Sequence, residues 1–279
     1  MSENVGVDYS ELHNLESPAN RLLRDSIWGQ ENDIGQQSFI TRDYLDDLAA
    51  RLKVTEETHL LDIGSGTGGP AVYIANATGC RVTGVEINEV GVNVAKGLVG
   101  NAGLADRVDV VQGDATVLPF EPDTFDAAFS LNVMNVFEDK VAVFKEVLRT
   151  LKPGGRWAFL TGTFTMGPED AEAREKLRRG YLIPQFYDSL AEYKTKLYEA
   201  GFRIEEAVEF ISDFWVQVGR WGDAYRTHRE AVGAEQGEEN TAYHIEYFDT
   251  YKRLIEEGKA SNHLIICRKP GGEGPDTPV

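Results

Sequence analysis

Residues 60–70 of this chain read Leu-Leu-Asp-Ile-Gly-Ser-Gly-Thr-Gly-Gly-Pro. A short apolar run ends in an acid, a glycine-dense turn follows, and residues 69–77 suit a helix. Because Gly64, Gly66 and Gly68 lack a Cβ atom, the backbone can turn sharply and a ligand can approach it closely. The unpaired N–H groups of the first helical turn face that ligand. The stretch therefore predicts a strand, a tight turn and a helix N-terminus that cradle a nucleotide-type cofactor.

The glycines alone allow two kinds of cofactor. Gly64, Gly66 and Gly69 also satisfy G-x-G-x-x-G, the dinucleotide fingerprint, so an NAD-dependent oxidoreductase is one interpretation. Asp62 argues against it, because a carboxylate just before the turn would repel a pyrophosphate and suits a cationic cofactor with an ammonium group. In both interpretations Glu86, at the end of the next predicted strand, would bind a ribose.

Acidic residues close three successive predicted strands. Asp62 and Glu86 close the first two, and Asp114, followed by Ala115, closes the third, in position for an adenine amino group. Open α/β sheets bind their ligands at the carboxyl ends of the strands. We therefore expect the three acids in one cofactor site, and this intact set argues against a non-catalytic binding module.

Further motifs follow the glycine turn along the chain. They are Gly-Val-Glu at 84–86, Gly-Asp-Ala at 113–115 with Leu-Pro-Phe at 118–120, Phe-Asp-Ala at 125–127 and Leu-Arg-Thr-Leu-Lys-Pro-Gly-Gly at 148–155. In order and spacing these motifs resemble the class I S-adenosylmethionine-dependent methyltransferases. Residues 27–29 and 267–270 resemble the small-molecule branch, which includes sarcosine/dimethylglycine N-methyltransferases and natural-product sugar O-methyltransferases. The resemblance implies S-adenosylmethionine as the cofactor and a small-molecule acceptor.

The resemblance also implies which residues hold the cofactor. Asn132, after the fourth strand, would contact the amino-acid end of the cofactor. Trp28 and Gln36 belong to a segment that folds over the cofactor in this branch, and such a lid keeps water from the sulfonium; a surface loop with one buried Trp is the alternative. The expected cofactor residues are Asp62, Gly64, Gly66, Gly68, Glu86, Asp114, Ala115, Asn132, Trp28 and Gln36.

Methyl transfer from a sulfonium depends on alignment, and a general base is optional. Three residues are candidates for catalytic contacts. Asn135 follows the fourth strand, where sugar-methylating relatives carry a histidine, Tyr187 lies in a segment that lines the substrate pocket of relatives, and His244 could act as a base. The alternatives are a capping or loop role for Asn135, core packing for Tyr187 and a partly exposed helix position for His244. The missing histidine favours N-methylation, then C-methylation, and base-assisted O-methylation last.

Alternating strand and helix patterns predict an α/β fold with a Rossmann-like, parallel seven-stranded sheet. Predicted strands are 58–63, 80–87, 107–112, 125–131, 155–163, 202–210 and 260–268, and predicted helices are 41–52, 69–77, 89–100, 139–151, 169–180 and 186–200. The aromatic-rich connection 212–258 is unusually long and predicts a cap of two helices around a loop at 233–240. The predicted organisation is an N-terminal arm and lid (1–40, with 28–39 as a loop), a core (41–211), the cap (212–258), the last core strand (259–270) and a disordered tail (271–279).

The composition limits the partners. The 279 residues include 28 Lys and Arg against 46 Asp and Glu, a formal net charge of −18. Nucleic acid and anionic membranes are poor partners for such a surface. Cys80 and Cys267 fit small buried apolar positions in a reducing compartment. With no predicted signal peptide or membrane span, we expect a cytoplasmic protein; no metal-ligand spacing is present, and the oligomeric state stays open.

Overall fold

One mixed sheet organises the chain in this computed structural model, which describes residues 13–15, 17–179 and 184–271. Within them, seven strands lie in the order β3-β2-β1-β4-β5-β7-β6. The strands are β1 (His59–Ile63), β2 (Arg81–Glu86), β3 (Val108–Gln112), β4 (Phe125–Leu131), β5 (Leu151–Phe164), β6 (Arg203–Glu209) and β7 (Ala260–Arg268). Strands β1 to β5 are parallel, whereas β7 runs antiparallel to β5 and β6. The predicted seven-stranded methyltransferase-type sheet is confirmed, and the antiparallel β7 is a difference from an all-parallel one.

Helices cover both faces of the sheet. They are α1 (Pro18–Ile27), α2 (Gly29–Asn32), α3 (Arg42–Leu52), α4 (Gly69–Thr78), α5 (Glu89–Asn101), α6 (Lys140–Thr150), α7 (Ala171–Arg179), α8 (Leu190–Ala200), α9 (Ile211–Thr227), α10 (Arg229–Gln236) and α11 (Glu238–Glu256). One apolar layer packs α6 and α8 on the sheet through residues such as Phe144, Trp157 and Tyr193. A second layer packs α3, α4 and α5 on the opposite face. Burial on both faces explains why the parallel strands are nearly continuous apolar runs.

Helices α9, α10 and α11 form the cap between β6 and β7. The prediction of two helices around a loop at 233–240 was wrong, because the cap has three helices that are separated only by His228 and Gly237. Glu238 and Glu239 occupy the first turn of α11, where acidic side chains stabilise a helix. The cap shares its apolar core with α1, so the N-terminal arm and the cap pack as one cluster.

Several other boundaries differ from the predictions. The helix predicted from 186 begins at Leu190, because Ser189 and Glu192 form a capping box, and residues 184–189 lie outside any helix or strand. The predicted loop 28–39 contains the short helix α2, and β5 begins at Leu151 rather than 155. The charged helix predicted over 169–180 is a 3₁₀ turn, Pro168–Asp170, followed by α7. Residue 180 and all of the predicted tail after residue 271 lie outside the described residues.

Two searches of the described residues gave negative results. None of the helices there is long and apolar enough to cross a membrane. No group of three or more His, Cys, Asp or Glu side chains in the same part of the chain is arranged to hold a metal ion.

Candidate active site

The glycine turn follows β1 and is held tightly between neighbouring elements. Gly64 has a φ of +69°, and a Cβ atom there would lie 2.5 Å from Cγ2 of Val133. Gly68 caps α4 with a φ of +79°, and its Cβ would lie 2.9 Å from that of Ala95. The Gly64 N–H donates to the carbonyl of Val85 at 2.9 Å. A larger side chain at Gly64 would displace the turn from Val133, and one at Gly68 would displace it from α5.

A cleft opens above this turn at the carboxyl edge of the sheet. Eight of the ten predicted cofactor residues line it, namely Asp62, Gly64, Gly66, Glu86, Asp114, Ala115, Asn132 and Gln36. Gly68 and Trp28 are not part of its lining; Gly68 is the N-cap of α4, and Trp28 packs on Trp221 of the cap. The cleft therefore brings together the three acids that the sequence places at the ends of separate strands.

Asp62 carries a buried carboxyl group, and one of its oxygens has no hydrogen-bond partner among the described residues. Its side chain is 3% exposed, and among the described residues its Oδ2 has no hydrogen-bond partner. Burial, and next the negative charge of Glu86, raises the pKa of Asp62 well above its ordinary value. A bound ammonium group would restore the charged form, so this acid fits the cationic amino group of S-adenosylmethionine.

Asn132 supplies the complementary atom. It adopts a φ of +57° at the end of β4, a left-handed conformation that is uncommon for residues other than glycine. Its N–H donates to the carbonyl of Leu160 at 2.8 Å, while its buried Nδ2 has no partner among the described residues. An unpaired donor at Asn132 and an unpaired acceptor at Asp62 line the same cleft, and an amino-acid zwitterion offers partners for both.

Glu86 and Asp114 are held by backbone groups. Oε2 of Glu86 accepts from the N–H of Gly66, and Oε1 accepts from the N–H of Asn88, both at 2.9 Å. Glu86 thus fixes the glycine turn and the start of α5 while it faces the cleft. Oδ1 of Asp114 accepts from the N–H and the hydroxyl of Thr116 at 2.9 and 2.8 Å. These bonds orient both carboxylates, which leaves them able to accept ribose and adenine donors.

The segment before α3 closes over the glycine turn. The Thr67 hydroxyl donates to the carbonyl of Gly35 at 2.6 Å, and a Cβ at Gly69 would collide with the carbonyl of Ile34. Gln36 shapes this segment, because its Oε1 accepts from the N–H of Ile34 at 2.8 Å. Glycine at position 69 is therefore required by the close approach of the backbone at Ile34 and Gly35.

Trp28 connects the segment before α3 to the cap. Its ring meets the ring of Trp221 edge-on at 5.4 Å, and the guanidinium of Arg24 lies over it at 5.4 Å. Arg24 also pairs with Asp33 and donates to the carbonyl of Gln36. Trp28 is 5% exposed, and it is not among the lining residues of the cleft.

His13 is a lining residue that the sequence analysis missed. It lies against the cleft with 3% of its surface exposed. A Cβ at Gly91 would lie 2.8 Å from the His13 ring, and one at Gly66 would lie 3.8 Å from its Nε2. The histidine therefore covers both the glycine turn and the start of α5. No motif or periodicity surrounds position 13, so the sequence alone carries no signal for this contact.

Asn135 is fixed in a buried polar network beside the cleft. Its Oδ1 accepts from the hydroxyls of Thr161 and Tyr193 at 3.1 and 2.9 Å. A Cβ at Gly162 would lie 3.2 Å from Nδ2 of Asn135 and 2.6 Å from the hydroxyl of Tyr251. The amide nitrogen of Asn135 and the Tyr251 hydroxyl therefore approach the same glycine on β5.

Three tyrosines adjoin this point, and we call Tyr187, Tyr247 and Tyr251 the tyrosine cluster. Tyr247 and Tyr251 are buried, and Tyr187 is half-buried. The hydroxyls of Tyr187 and Tyr247 are 2.9 Å apart, and the ring centroids of Tyr187 and Tyr251 are 6.3 Å apart. Phe164 packs on Tyr187 with a centroid distance of 4.1 Å. Burial raises the pKa of all three phenols above the ordinary value of 10.0, so they stay neutral near neutral pH.

His244 lies in the interior of the cap. It is fully buried, and its ring meets that of Tyr225 edge-on at a centroid distance of 5.0 Å. It is not part of the cleft lining. The expectation of a partly exposed helix histidine was wrong, because α11 turns this face toward α9 rather than toward solvent.

Comparisons with known proteins agree with this geometry. Residues 61–159 match the family model described as "Methyltransferase domain". The 27-O-demethylrifamycin SV methyltransferase of Amycolatopsis mediterranei is 32% identical over 271 residues, which cover 89% of this chain and 93% of that protein. The 24-methylenesterol C-methyltransferase 2 of Oryza sativa subsp. japonica is 36% identical over 252 residues, which cover 82% of this chain and 68% of that protein.

Solved structures support the fold. The [4+2]-cyclase SpnF superposes with a TM-score of 0.77 at 23% identity, covering 98% of this chain and 97% of that one. Phosphoethanolamine N-methyltransferase 2 of Haemonchus contortus, solved with S-adenosyl-L-methionine, gives a TM-score of 0.73 at 20% identity, covering 95% of this chain and 60% of that one. At these identities the likeness shows the fold alone, and the cyclase illustrates that one fold hosts different reactions.

The fold, the cleft and the relatives define an S-adenosylmethionine-dependent enzyme. The chain belongs to the class I methyltransferases, in the branch that acts on small molecules, and S-adenosylmethionine is its cofactor. The glycine pattern alone also allowed an NAD-dependent oxidoreductase, and this interpretation is now excluded.

Proposed function

We propose that this enzyme transfers the methyl group to a nitrogen of a small-molecule acceptor that binds beneath the cap, beside the tyrosine cluster. The observation that carries the proposal is the chemistry of that cluster. Buried phenols with raised pKa values are poor bases near neutral pH. His244 lies three residues before Tyr247 on α11, and it faces the interior of the cap. An acceptor that needs no protein base fits these surroundings.

The cofactor would be held by the residues that line the cleft. Asp62 and Asn132 would bind its amino and carboxylate groups, Glu86 its ribose and Asp114 with Ala115 its adenine. The cofactor supplies an electrophilic methyl group on a sulfonium. The role of the protein is then to orient the acceptor and exclude water, and the lid segment around Gln36 serves the second purpose.

Aromatic surfaces suit a nitrogen acceptor in a second way. Tyr187, Tyr251 and Phe164 present closely packed rings at this end of β5. Ring faces attract the positive charge that develops on nitrogen as the new bond forms. Thr161 and Tyr193 hold Oδ1 of Asn135, so its amide N–H could donate to a polar group of the substrate other than the attacking nitrogen, whose lone pair must stay free. The extra proton of the product amine would leave to solvent after transfer, so none of these residues has to accept it.

Methylation of a hydroxyl group is the second candidate. It is favoured by the rifamycin relative, whose name describes O-methylation and which matches this chain over nearly the full length of both proteins. A hydroxyl acceptor requires a base in most cases. The sterol relative, named as a C-methyltransferase, keeps an electron-rich carbon as a third possibility.

Matched acceptors separate these reactions. Pairs of small molecules that differ only in carrying an amine or a hydroxyl group would be incubated with methyl-labelled S-adenosylmethionine, and mass spectrometry would place the label. The proposal predicts labelled nitrogen, with a rate that rises with pH only as the acceptor amine loses its own proton. Label on oxygen, together with a large loss of turnover in His244→Ala, would contradict it.

A further inference from the structure

A second cavity of about 480 Å³ lies between the first turns of α3 and α9. None of its lining residues also lines the cofactor cleft. Its floor is formed by Leu160 of β5 and Asn262 of β7, and Phe39, Phe210 and Phe214 contribute aromatic walls. This volume lies in the range of pockets that hold small organic molecules.

Buried oxygen atoms in this cavity have no protein partner. The Asn262 side chain is 2% exposed and the Gln217 side chain is 5% exposed. Among the described residues, neither Oδ1 of Asn262 nor Oε1 of Gln217 has a hydrogen-bond partner, and the hydroxyl of Tyr44 has none either. Buried acceptors are almost always paired, so two unpaired amide oxygens in one cavity indicate a missing donor.

The charges around the cavity favour a cationic donor. Asp43, Asp47 and Asp213 line it, against one cation, Arg220. Within the described part of the chain, Asp43 and Asp213 take part in no ion pair, whereas Asp47 is paired with Arg51 outside the cavity. The excess of carboxylates attracts a positive ligand and repels an anion.

We propose that this cavity binds a second ligand, a protonated arylalkylamine. Its ammonium N–H groups donate to the side-chain oxygens of Gln217 and Asn262, and its ring packs on the wall formed by Phe39 and Phe214, whose own rings meet edge-on at a centroid distance of 5.3 Å. The same two phenylalanines pack on Tyr251, with centroid distances of 6.4 and 5.2 Å, so an occupied cavity stiffens one wall of the tyrosine cluster. The inference does not depend on which acceptor atom the enzyme methylates.

The test uses 2-phenylethylamine hydrochloride as the probe and 2-phenylethanol as its neutral counterpart. Calorimetric titration of the full chain, saturated with S-adenosylhomocysteine so that the cofactor cleft is filled, should give saturable binding of the amine. The alcohol should bind at least tenfold more weakly. Gln217→Leu and Asn262→Leu should each weaken amine binding about tenfold or more, since each removes one acceptor. Gln112→Leu, on β3 away from the cavity, should leave the affinity for the amine unchanged.

Retained affinity for S-adenosylhomocysteine shows that each variant is folded. If Asn262→Leu does not fold, Gln217→Leu, on a cap helix, decides the question alone. The proposal is overturned if the amine does not bind, if amine and alcohol bind equally, or if folded Gln217→Leu binds the amine as the wild type does.

Discussion

Asp62 and Glu86 lie on the neighbouring strands β1 and β2, and the negative charge of Glu86 helps to raise the pKa of Asp62. The two buried acids have different surroundings. Both oxygens of Glu86 accept backbone N–H groups, while Oδ2 of Asp62 has no partner among the described residues. Without a cation in the cleft, the raised pKa therefore favours the protonated state of Asp62. A cofactor with an ammonium group would reverse that state.

This asymmetry predicts the effect of Asp62→Asn on stability. Because the pKa of Asp62 is higher in the folded chain than in the unfolded one, its contribution is fully present below the ordinary value of 3.8 and is lost as pH rises through the folded pKa. Without cofactor, the variant should be more stable than the wild type at neutral pH, and it should bind S-adenosylhomocysteine more weakly. Urea unfolding and calorimetry from about pH 4 to about pH 8 measure both effects. Parallel stability curves for the two proteins would disprove this role.

Gly64→Ala tests the glycine turn. The new methyl group would meet Val133 at 2.5 Å in a backbone conformation that alanine rarely adopts. We expect a loss of at least about tenfold in affinity for S-adenosylhomocysteine, which corresponds to about 1.4 kcal/mol. Gly97→Ala is the matched control, because a Cβ there meets nothing within 4 Å in an exposed part of α5. The control should gain about 0.5–1 kcal/mol of stability and keep its affinity. Equal affinities of the two variants would refute the assignment.

Lys140→Met tests the buried lysine at the start of α6. Its Nζ donates to the carbonyls of Phe137 and Phe186 and pairs with Asp188 at 3.3 Å, which anchors the segment that carries Tyr187. Burial lowers the pKa of Lys140 from 10.5 to about 8.

Because this pKa is lower in the folded chain, the stability of the wild type should rise between about pH 8 and about pH 10.5 through this group. Lys140→Met should lack that part of the rise, which is read from the difference between the two unfolding curves. An identical rise in both proteins would show that Lys140 titrates normally. Weaker binding of the methyl acceptor in the variant would further indicate that the segment carrying Tyr187 shapes the acceptor-binding site.

His13→Ala tests the N-terminal cover of the cleft. Removing a buried ring that lies against Gly66 and Gly91 opens one wall, so S-adenosylhomocysteine should dissociate faster while its association rate changes little. Stopped-flow displacement measures the two rates. His228→Ala, between α9 and α10 and away from the cleft, is the control and should match the wild type. If S-adenosylhomocysteine dissociates from His13→Ala at the wild-type rate, His13 does not contribute to the cofactor site.

The sequence was most informative where local chemistry alone determines structure. Stretch 58–63 was predicted as a strand and β1 spans His59–Ile63, while 260–268 and β7 coincide. Parallel strands align their carboxyl ends, so the predicted sheet places the strand-end residues Asp62, Glu86 and Asp114 at one edge. These residues meet in one cleft, as expected from their positions alone.

The sequence was least informative where distant segments pack together. Gly233 and Gly237 made 233–240 look like a loop, but packing of α10 and α11 on α9 and α1 overrides that local preference. The orientation of His244 depends on which side of α11 faces the cap interior, and periodicity does not distinguish a cleft from a second core. His13 reaches the cleft through tertiary packing, for which no local pattern exists.

The central claim is that this cleft binds S-adenosylmethionine through Glu86, and calorimetric titration with S-adenosylhomocysteine tests it without knowledge of the acceptor. The wild type should bind S-adenosylhomocysteine and give no heat with NADH. Glu86→Gln keeps the shape of the side chain but loses its charge, and Glu86→Ala also removes both backbone contacts. We expect affinity to fall about tenfold or more in Glu86→Ala, and less in Glu86→Gln. Binding of NADH, or unchanged affinity for S-adenosylhomocysteine in a folded Glu86→Ala variant, would contradict the account.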